Sequence, residues 1–244
     1  MDFNIPKIER THDLFYLKNK IDDNPKDSFK RVADLISNYK DINSKKLTIA
    51  DIGCAAGQFP AYLTKRFEND NIIGYEYVEE LVSAAKTFYP EIKFKEASVL
   101  DKSAISSSSL DVITLLGVLS IFDDIEPILS NISHWIKPNG RVYMHGMFNP
   151  FDIDVFIKYR DSKKYAENIF EPGWNIISQS SITRILEKNN VKLVKFHEFK
   201  ISCDIKKNSD DPVRSWTEKL KNGERQIVNG ICIKQPQFIL EAEF

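Results

Sequence analysis

The sequence is short of cysteine and glycine and has almost no excess of either charge. Its three cysteines, Cys54, Cys203 and Cys232, form no CxxC pair and are odd in number. That argues against a disulfide framework or a thiolate metal site, so no metal is expected and a reducing compartment fits. The 34 basic and 35 acidic residues leave a formal charge of -1 with no long run of one sign. A surface of that kind offers no electrostatic footprint for nucleic acid. No stretch of about 18 apolar residues is present for a membrane-spanning helix. The opening residues, MDFNIPKIERTHDLF, lack a basic-then-apolar leader pattern. The expected location is therefore the cytoplasm.

What the chain does have is enough apolar material for a sizeable core: 42% hydrophobic residues, 16 of them Phe, against 28% charged. At 244 residues it has the length of one large α/β domain with some elaboration. Residues 1–44 are expected to form an N-terminal helical cap. In it Asn24 can cap, Pro25 suits the first helical position, and Phe29, Val32, Ala33 and Ile36 repeat at helical spacing. From Leu47 the pattern turns to short apolar runs separated by helix-like segments, the mark of strands alternating with helices around a mostly parallel sheet. Strands are read at Leu47 to Ile52, Asn71 to Glu76, Ile92 to Ala97, Leu110 to Leu116, Arg141 to Met147, Val191 to Ile201 and Phe238 to Phe244. The expected fold is a doubly wound, mostly parallel, seven-stranded sheet over residues 45–244. A helix opened by Asp123 or Asp124 carries Ile128, Leu129, Ile132 and Ile136 and is ended by Lys137-Pro138-Asn139-Gly140. Insertions at about 149–177 and 204–230 follow strands five and six, the second with an Asn222-Gly223 hairpin turn. Such segments dress binding sites.

The strongest local signal is Leu47-Thr48-Ile49-Ala50-Asp51-Ile52-Gly53-Cys54-Ala55-Ala56-Gly57, an apolar strand ending in an acid, a turn of small residues, then a helix. Small residues there let a ligand approach the backbone. A dinucleotide fold wants G-x-G-x-x-G with amides facing a pyrophosphate; here the spacing is Gly53-x-x-x-Gly57 with Asp51 before the loop. A carboxylate repels phosphate and suits a cation, and S-adenosylmethionine carries an ammonium and a sulfonium. The bland alternative is a strand-to-helix turn that uses glycine only for geometry. Nineteen residues beyond Gly57, Glu76 ends the second strand with two acceptor oxygens suited to a pair of ribose hydroxyls. Alone it reads as a strand-end charge facing water; in register with the loop it reads as a ligand.

Taken together, Asp51-Ile52-Gly53-Cys54-Ala55-Ala56-Gly57, Gly74-Tyr75-Glu76, Leu110-Asp111-Val112-Ile113 with Gly117-Val118-Leu119, and Ile136-Lys137-Pro138-Asn139-Gly140 resemble the class I S-adenosylmethionine-dependent methyltransferase family in order and spacing. The likeness runs from about Leu47 to Met147. It implies a Rossmann-like methyltransferase fold with S-adenosylmethionine as cofactor and S-adenosylhomocysteine as product. Asp51, Gly53 and Gly57 would line the methionine end, with Cys54 and Ala55 in the same loop. Glu76 would hold the ribose beside Tyr77, and Gly117 would lie near the transferred methyl. Two departures matter: Ala55 stands where the family often has glycine, and Ser98, followed by Val99, stands where an acid commonly reads the adenine amino group. Asn149-Pro150-Phe151 lacks the second proline and the position of a nucleobase-methylating motif, which agrees with the neutral charge.

In-line methyl transfer needs mainly alignment, and a base if the acceptor is a hydroxyl. His145, at the end of strand five, is the candidate base because imidazole titrates near neutrality; the alternatives are Asp152, Asp154 or none. Asn149, Asp152, Tyr159, Arg160, Trp174 and Asn175 are the candidate acceptor-binding residues, with Arg160 suited to a phosphate or carboxylate. The bland reading is lid packing and solvated charge. The Phe-Asn-Pro-Phe-Asp and Gly-Trp-Asn elements resemble those of methyltransferases of bacterial surface-polysaccharide clusters. They imply as small-molecule acceptor a sugar, a nucleotide-sugar, or a phosphorylated or phosphoramidate precursor in capsule biosynthesis. Methylation at N or C, and a catalytically silent S-adenosylmethionine-binding partner protein, stay open as alternatives; an NAD-linked oxidoreductase fails on the glycine spacing.

Overall fold

The computed structural model describes residues 16, 17, 25–43 and 45–244. The helix expected near Pro25 begins at Asp27 and runs to Asn43 as α1; the proposed cap Asn24 lies outside the described residues. Phe29, Val32, Leu35, Ile36 and Tyr39 recur at helical spacing and are all buried, while Asp27 in the first turn complements the helix dipole. These side chains join one cluster with Leu47, Ile49, Phe59, Val112 and Tyr143. The helical layer thus shares the core of the domain it covers.

The remaining elements follow in the alternating order that buried apolar runs dictate. They are β1 (Thr48–Ile52), α2 (Gln58–Arg66), β2 (Asn71–Glu76), α3 (Glu79–Phe88), β3 (Lys93–Glu96), β4 (Leu110–Leu116), α4 (Glu126–Trp135) and β5 (Ile136–Asn149). After them come β6 (Lys158–Tyr159), β7 (Glu171–Pro172), β8 (Ile177–Ser178), α5 (Gln179–Lys188), β9 (Leu193–Glu198), β10 (Trp216–Lys219), β11 (Arg225–Val228) and β12 (Gln237–Glu243). The main sheet runs β3-β2-β1-β4-β5-β12-β9, the seven strands expected, and β8 adds an eighth by pairing with β5. β1 to β5 are mutually parallel; β12 lies antiparallel to both β5 and β9. The 149–177 segment contributes the small β6-β7 pair, and β10 and β11 form the hairpin announced by Asn222-Gly223, where Gly223 takes φ 84°.

One expected helical residue belongs elsewhere. Ile136 is already extended and pairs with Leu110, so α4 stops at Trp135 and β5 starts well before Arg141. Pro138 explains this, because its ring disfavours the α conformation at the residue before it and cannot itself continue a helix. The cap of α4 also differs: the cap position is Ile125, and Asp124 instead accepts the Glu126 N–H at 3.0 Å from one residue outside.

α1 and α2 cover one face of the sheet, and α4 and α5 pack against the other. Strand order reverses between β1 and β4, which makes the carboxyl ends of those two strands the crevice where open α/β sheets bind ligands. No helix of the described residues is long and apolar enough to cross a membrane.

Candidate functional site

The parallel registers bring the separate motifs to that crevice. Asp51 sits opposite Gly74 on one side and Thr114 on the other. The Asp51 carboxylate is buried and accepts a hydrogen bond from the Thr114 hydroxyl at 2.7 Å. Burial pushes the Asp51 carboxyl up to about 7; the Thr114 hydrogen bond opposes this and the Glu76 charge adds to it. A hydroxyl in the apolar run Val112–Leu116 of a doubly buried strand was the available signal for Thr114, and the motif reading missed it.

The loop after β1 is folded back on the end of β2. Gly53 and Cys54 donate their N–H groups to the Tyr75 carbonyl at 2.8 and 3.0 Å, and Gly57 donates to the Cys54 carbonyl at 3.0 Å. Ala55 donates to Glu76 Oε2 at 2.9 Å, while Glu76 Oε1 accepts from Tyr77 and Val78 at 2.7 and 3.0 Å. The amides of Gly53, Cys54, Ala55 and Gly57 are therefore all engaged within the protein. Ala55 occupies left-handed space at φ 48°, where glycine, common at this position, would be free of strain and the alanine methyl is not.

Two glycines are required here for different reasons. Gly57 has φ 83°, and a Cβ on it would lie 2.6 Å from the Phe94 ring. Gly117, at the end of β4, has φ 81°, but a Cβ there would meet nothing within 4 Å. Gly57→Ala is expected to cost about 2–4 kcal/mol of stability through backbone strain plus the clash, and Gly117→Ala only the strain of about 1–2 kcal/mol. Urea unfolding of the two variants measures the difference. Equal losses would mean that Phe94 yields freely.

The other cofactor candidates divide. The Ser98 hydroxyl oxygen accepts from the Leu100 N–H at 3.2 Å and keeps its own proton to donate. Tyr77 is 37% exposed beside the Glu76 turn. Val99 is buried in the main core and offers its carbonyl to Asn131, and Cys54 packs its thiol among Val82, Ala85 and Phe94. Burial holds that thiol well above its usual range, hence neutral. These last two side chains face packing, so only their backbone borders the loop.

His145 lies on β5 opposite Leu116, and its carbonyl accepts the Gly117 N–H at 2.8 Å. The residue keeps slight exposure, but Nε2 is closed off from solvent and has no hydrogen-bond partner among the described residues. Burial, with a smaller push from Lys26, lowers its pKa to about 4, so the imidazole is neutral at neutral pH and a weak base. The Phe199 ring stands edge-on at 5.0 Å.

The residues expected to bind the acceptor are mostly engaged with other groups of the protein. Asn149 donates to the Ile153 carbonyl and accepts from Phe151 N–H at 2.8 and 3.1 Å. The Tyr159 hydroxyl donates to Glu171 at 3.0 Å. Arg160 donates to Asn168 at 2.8 Å and lies 4.2 and 5.1 Å from the Tyr165 and Phe170 ring centroids. Asn175, fully buried, accepts from Ile157 N–H at 2.7 Å and donates to the Phe122 carbonyl and to Asp123 at 3.0 and 3.1 Å. It fastens the insertion to the segment after β4. Trp174 sits beside it at φ 67° with its indole N–H buried. Asp152 is exposed, whereas Asp154 accepts from Ser178 N–H and the Ser181 hydroxyl at 2.6 and 2.8 Å and so braces Ser178, the cap of α5. Asp154 is thus spent on a helix end. Among the described residues no three His, Cys, Asp or Glu side chains gather as metal ligands.

Comparison with known proteins adds to this geometry. Residues 50–142, well under half the chain, match the model of a family described as "Methyltransferase domain". The chain is 23% identical over 191 residues to phosphoethanolamine N-methyltransferase 1 of Triticum aestivum, covering 71% of this chain and 38% of that protein. It spans less than half the length of the curated relatives it matches. Among solved structures, an S-adenosylmethionine-dependent methyltransferase of Methanosarcina mazei superposes with TM-score 0.58 at 14% identity, covering 86% of this chain and 96% of that one. One of Archaeoglobus fulgidus gives TM-score 0.56 at 14% identity, covering 96% and 100%. The fold is the Rossmann-like methyltransferase fold.

Proposed function

We propose, from a methyltransferase fold whose switch-point loop presents carboxylates instead of free amides, that this protein transfers a methyl group from S-adenosylmethionine to a small polar acceptor. The observation that carries the reading is the loop itself. With the Gly53, Cys54, Ala55 and Gly57 amides engaged internally, four of the five amides of that turn are withheld from a pyrophosphate, while Asp51 and Glu76 offer buried negative charge to an ammonium and to ribose hydroxyls. When bound, S-adenosylmethionine supplies an electrophilic methyl on a sulfonium. Asp51 would hold its ammonium, Glu76 its ribose and Ser98 its adenine amino group, and Gly117 leaves the space at the end of β4 clear.

For the acceptor we favour a hydroxyl oxygen of a sugar, a nucleotide-sugar or a phosphorylated or phosphoramidate precursor of bacterial capsule polysaccharide. The support is the Phe-Asn-Pro-Phe-Asp and Gly-Trp-Asn likeness around Phe148 and Trp174. The wheat relative, named for methylating phosphoethanolamine, favours a second reading in which the acceptor atom is an amine nitrogen.

Calorimetry is expected to show binding of S-adenosylhomocysteine and none of NAD. The reverse pattern would end the methyltransferase reading. Labelled methyl transfer tested against paired hydroxyl and amine acceptors then separates the two acceptor classes, and cofactor binding with no transfer to any acceptor would identify a silent partner protein.

A further inference from the structure

An unpaired polar atom shut away from water costs about 1–3 kcal/mol, so a protein that keeps one needs a compensating use for it. His145 Nε2 is such an atom, and its neighbours give it a setting. Side chains alternate along β4 and β5, so Thr114, Leu116, Tyr143 and His145 share the face covered by α1, with Thr114 opposite Tyr143 and Leu116 opposite His145. On that face Thr114 is bonded to Asp51 and the Tyr143 hydroxyl donates to the Leu35 carbonyl at 3.2 Å. His145 alone of these polar groups is left over. Immediately beside it is Gly117, whose N–H bonds the His145 carbonyl and whose missing side chain opens on empty space. Phe199 and Leu116 give the imidazole apolar neighbours.

We infer that His145 Nε2 is the anchoring point for the acceptor, and that the acceptor end it receives is a hydroxyl carried by a neutral or anionic molecule, approaching on the α1 face of the sheet and not through the 149–177 insertion. The inference rests on the cofactor reading above. A neutral imidazole nitrogen accepts from a hydroxyl or donates to its oxygen, whichever tautomer is present. An ammonium there would be stripped of water beside the Phe199 ring and Leu116 with no carboxylate among the described residues hydrogen-bonded to the imidazole to pair it, a heavier cost than a hydroxyl meets. The insertion, by contrast, has spent Asn149, Tyr159, Arg160 and Asn175 on internal bonds. His145 in this role binds and orients the acceptor.

The test uses the full chain saturated with S-adenosylhomocysteine and labelled with ¹⁵N-histidine; the four histidines are distinguished by the signal missing from His145→Gln. The probes are 2-hydroxyethyl phosphate, glucose and phosphoethanolamine. At least one hydroxyl probe is expected to move the His145 Nε2 resonance, and phosphoethanolamine to leave it in place. Followed at the Gly117 amide, affinity for the active hydroxyl probe is expected to fall about tenfold or more in His145→Phe, which fills the space without a hydrogen bond, and in His145→Asn, whose amide is too short to reach the Nε2 position. In His145→Gln, whose amide does reach it, affinity is expected to stay within about threefold. Failure of every hydroxyl probe to move Nε2, an equal response to the amine, or equal affinities in all three variants overturns the inference while S-adenosylhomocysteine still binds. Loss of S-adenosylhomocysteine binding by the unaltered protein would instead overturn the cofactor reading.

Discussion

Asp51→Asn is expected to make the ligand-free protein more stable and at the same time to abolish most of its cofactor affinity. The two effects share one cause. Asp51 is buried, and its pKa in the folded protein is raised to about 7 from an ordinary value of 3.8. A carboxyl raised in the folded state contributes nothing unfavourable below its unfolded pKa, where both states are protonated. As pH climbs from about 4 to 7 the unfolded chain releases the proton and the folded one retains it, so stability is progressively lost, and the loss levels off above about 7 at roughly 4 kcal/mol. Asparagine keeps an oxygen for the Thr114 hydroxyl and carries no charge, so the variant's advantage should be nearly absent at pH 4 and full at pH 8. The missing charge is what an ammonium ligand would use. Losing that buried pairing is expected to weaken S-adenosylhomocysteine binding by about 3 kcal/mol or more, upwards of a hundredfold. Because ligand charge draws the Asp51 proton off, cofactor binding by the unaltered protein should release protons near pH 6.5, measurable by calorimetry in buffers of different ionisation enthalpy. Thermal melts at pH 4 and 8, with and without ligand, complete the test. A variant that melts no higher at pH 8 would mean that Asp51 is solvated and its pKa ordinary.

Glu76→Ala is expected to damage both affinity and stability, and the second loss separates the structure's account of this residue from the motif's. A carboxylate that only holds ribose can be removed at a cost of about 1.5–3 kcal/mol of cofactor affinity, ten- to a hundredfold, with the melting temperature of the ligand-free protein unchanged. Here the carboxylate also accepts the N–H groups of Ala55, Tyr77 and Val78. Alanine leaves those amides to find other partners, each at about 1–3 kcal/mol if it stays dry, and releases the tie between the β1 loop and the end of β2. We expect a loss of about 3 kcal/mol in the ligand-free protein by urea unfolding, with Glu76→Gln intermediate because one of its two terminal atoms still accepts. An alanine variant with unaltered unfolding but weakened binding would return Glu76 to a purely ligand-facing role.

Much of the architecture was legible in the chain because it depends on local pattern. β2 and β4 occupy the stretches read from their apolar runs, since strands buried on both faces advertise themselves residue by residue. The Asp51 to Gly57 turn announced itself through acid, small residues and glycines at positions that need positive φ. The seven-strand ladder followed from counting alternating elements. Misreadings came where a neighbour's restriction outweighs periodicity, as at Ile136, which looks like the next helical core residue and is turned into strand by Pro138.

The composition and order of residues by themselves determined that this chain buries a parallel sheet, places an acid and a glycine turn after its first strand, and carries a second acid after its second. Only the tertiary structure decided how those groups are spent. Asn175 reads in the sequence as an acceptor ligand, and the fold gives its side chain the Phe122 carbonyl and Asp123 as partners, about fifty residues away in sequence. Glu76 acquired three backbone donors from two segments, and Thr114 was placed on Asp51 by strand register. The sequence pointed to His145 as a base of ordinary pKa, whereas packing under α1 and Phe199 lowered that pKa and left Nε2 unpaired. The physical reason is the same in each case: periodicity and turn chemistry act over a few residues, whereas hydrogen-bond partners and desolvation depend on which distant segments the fold brings together.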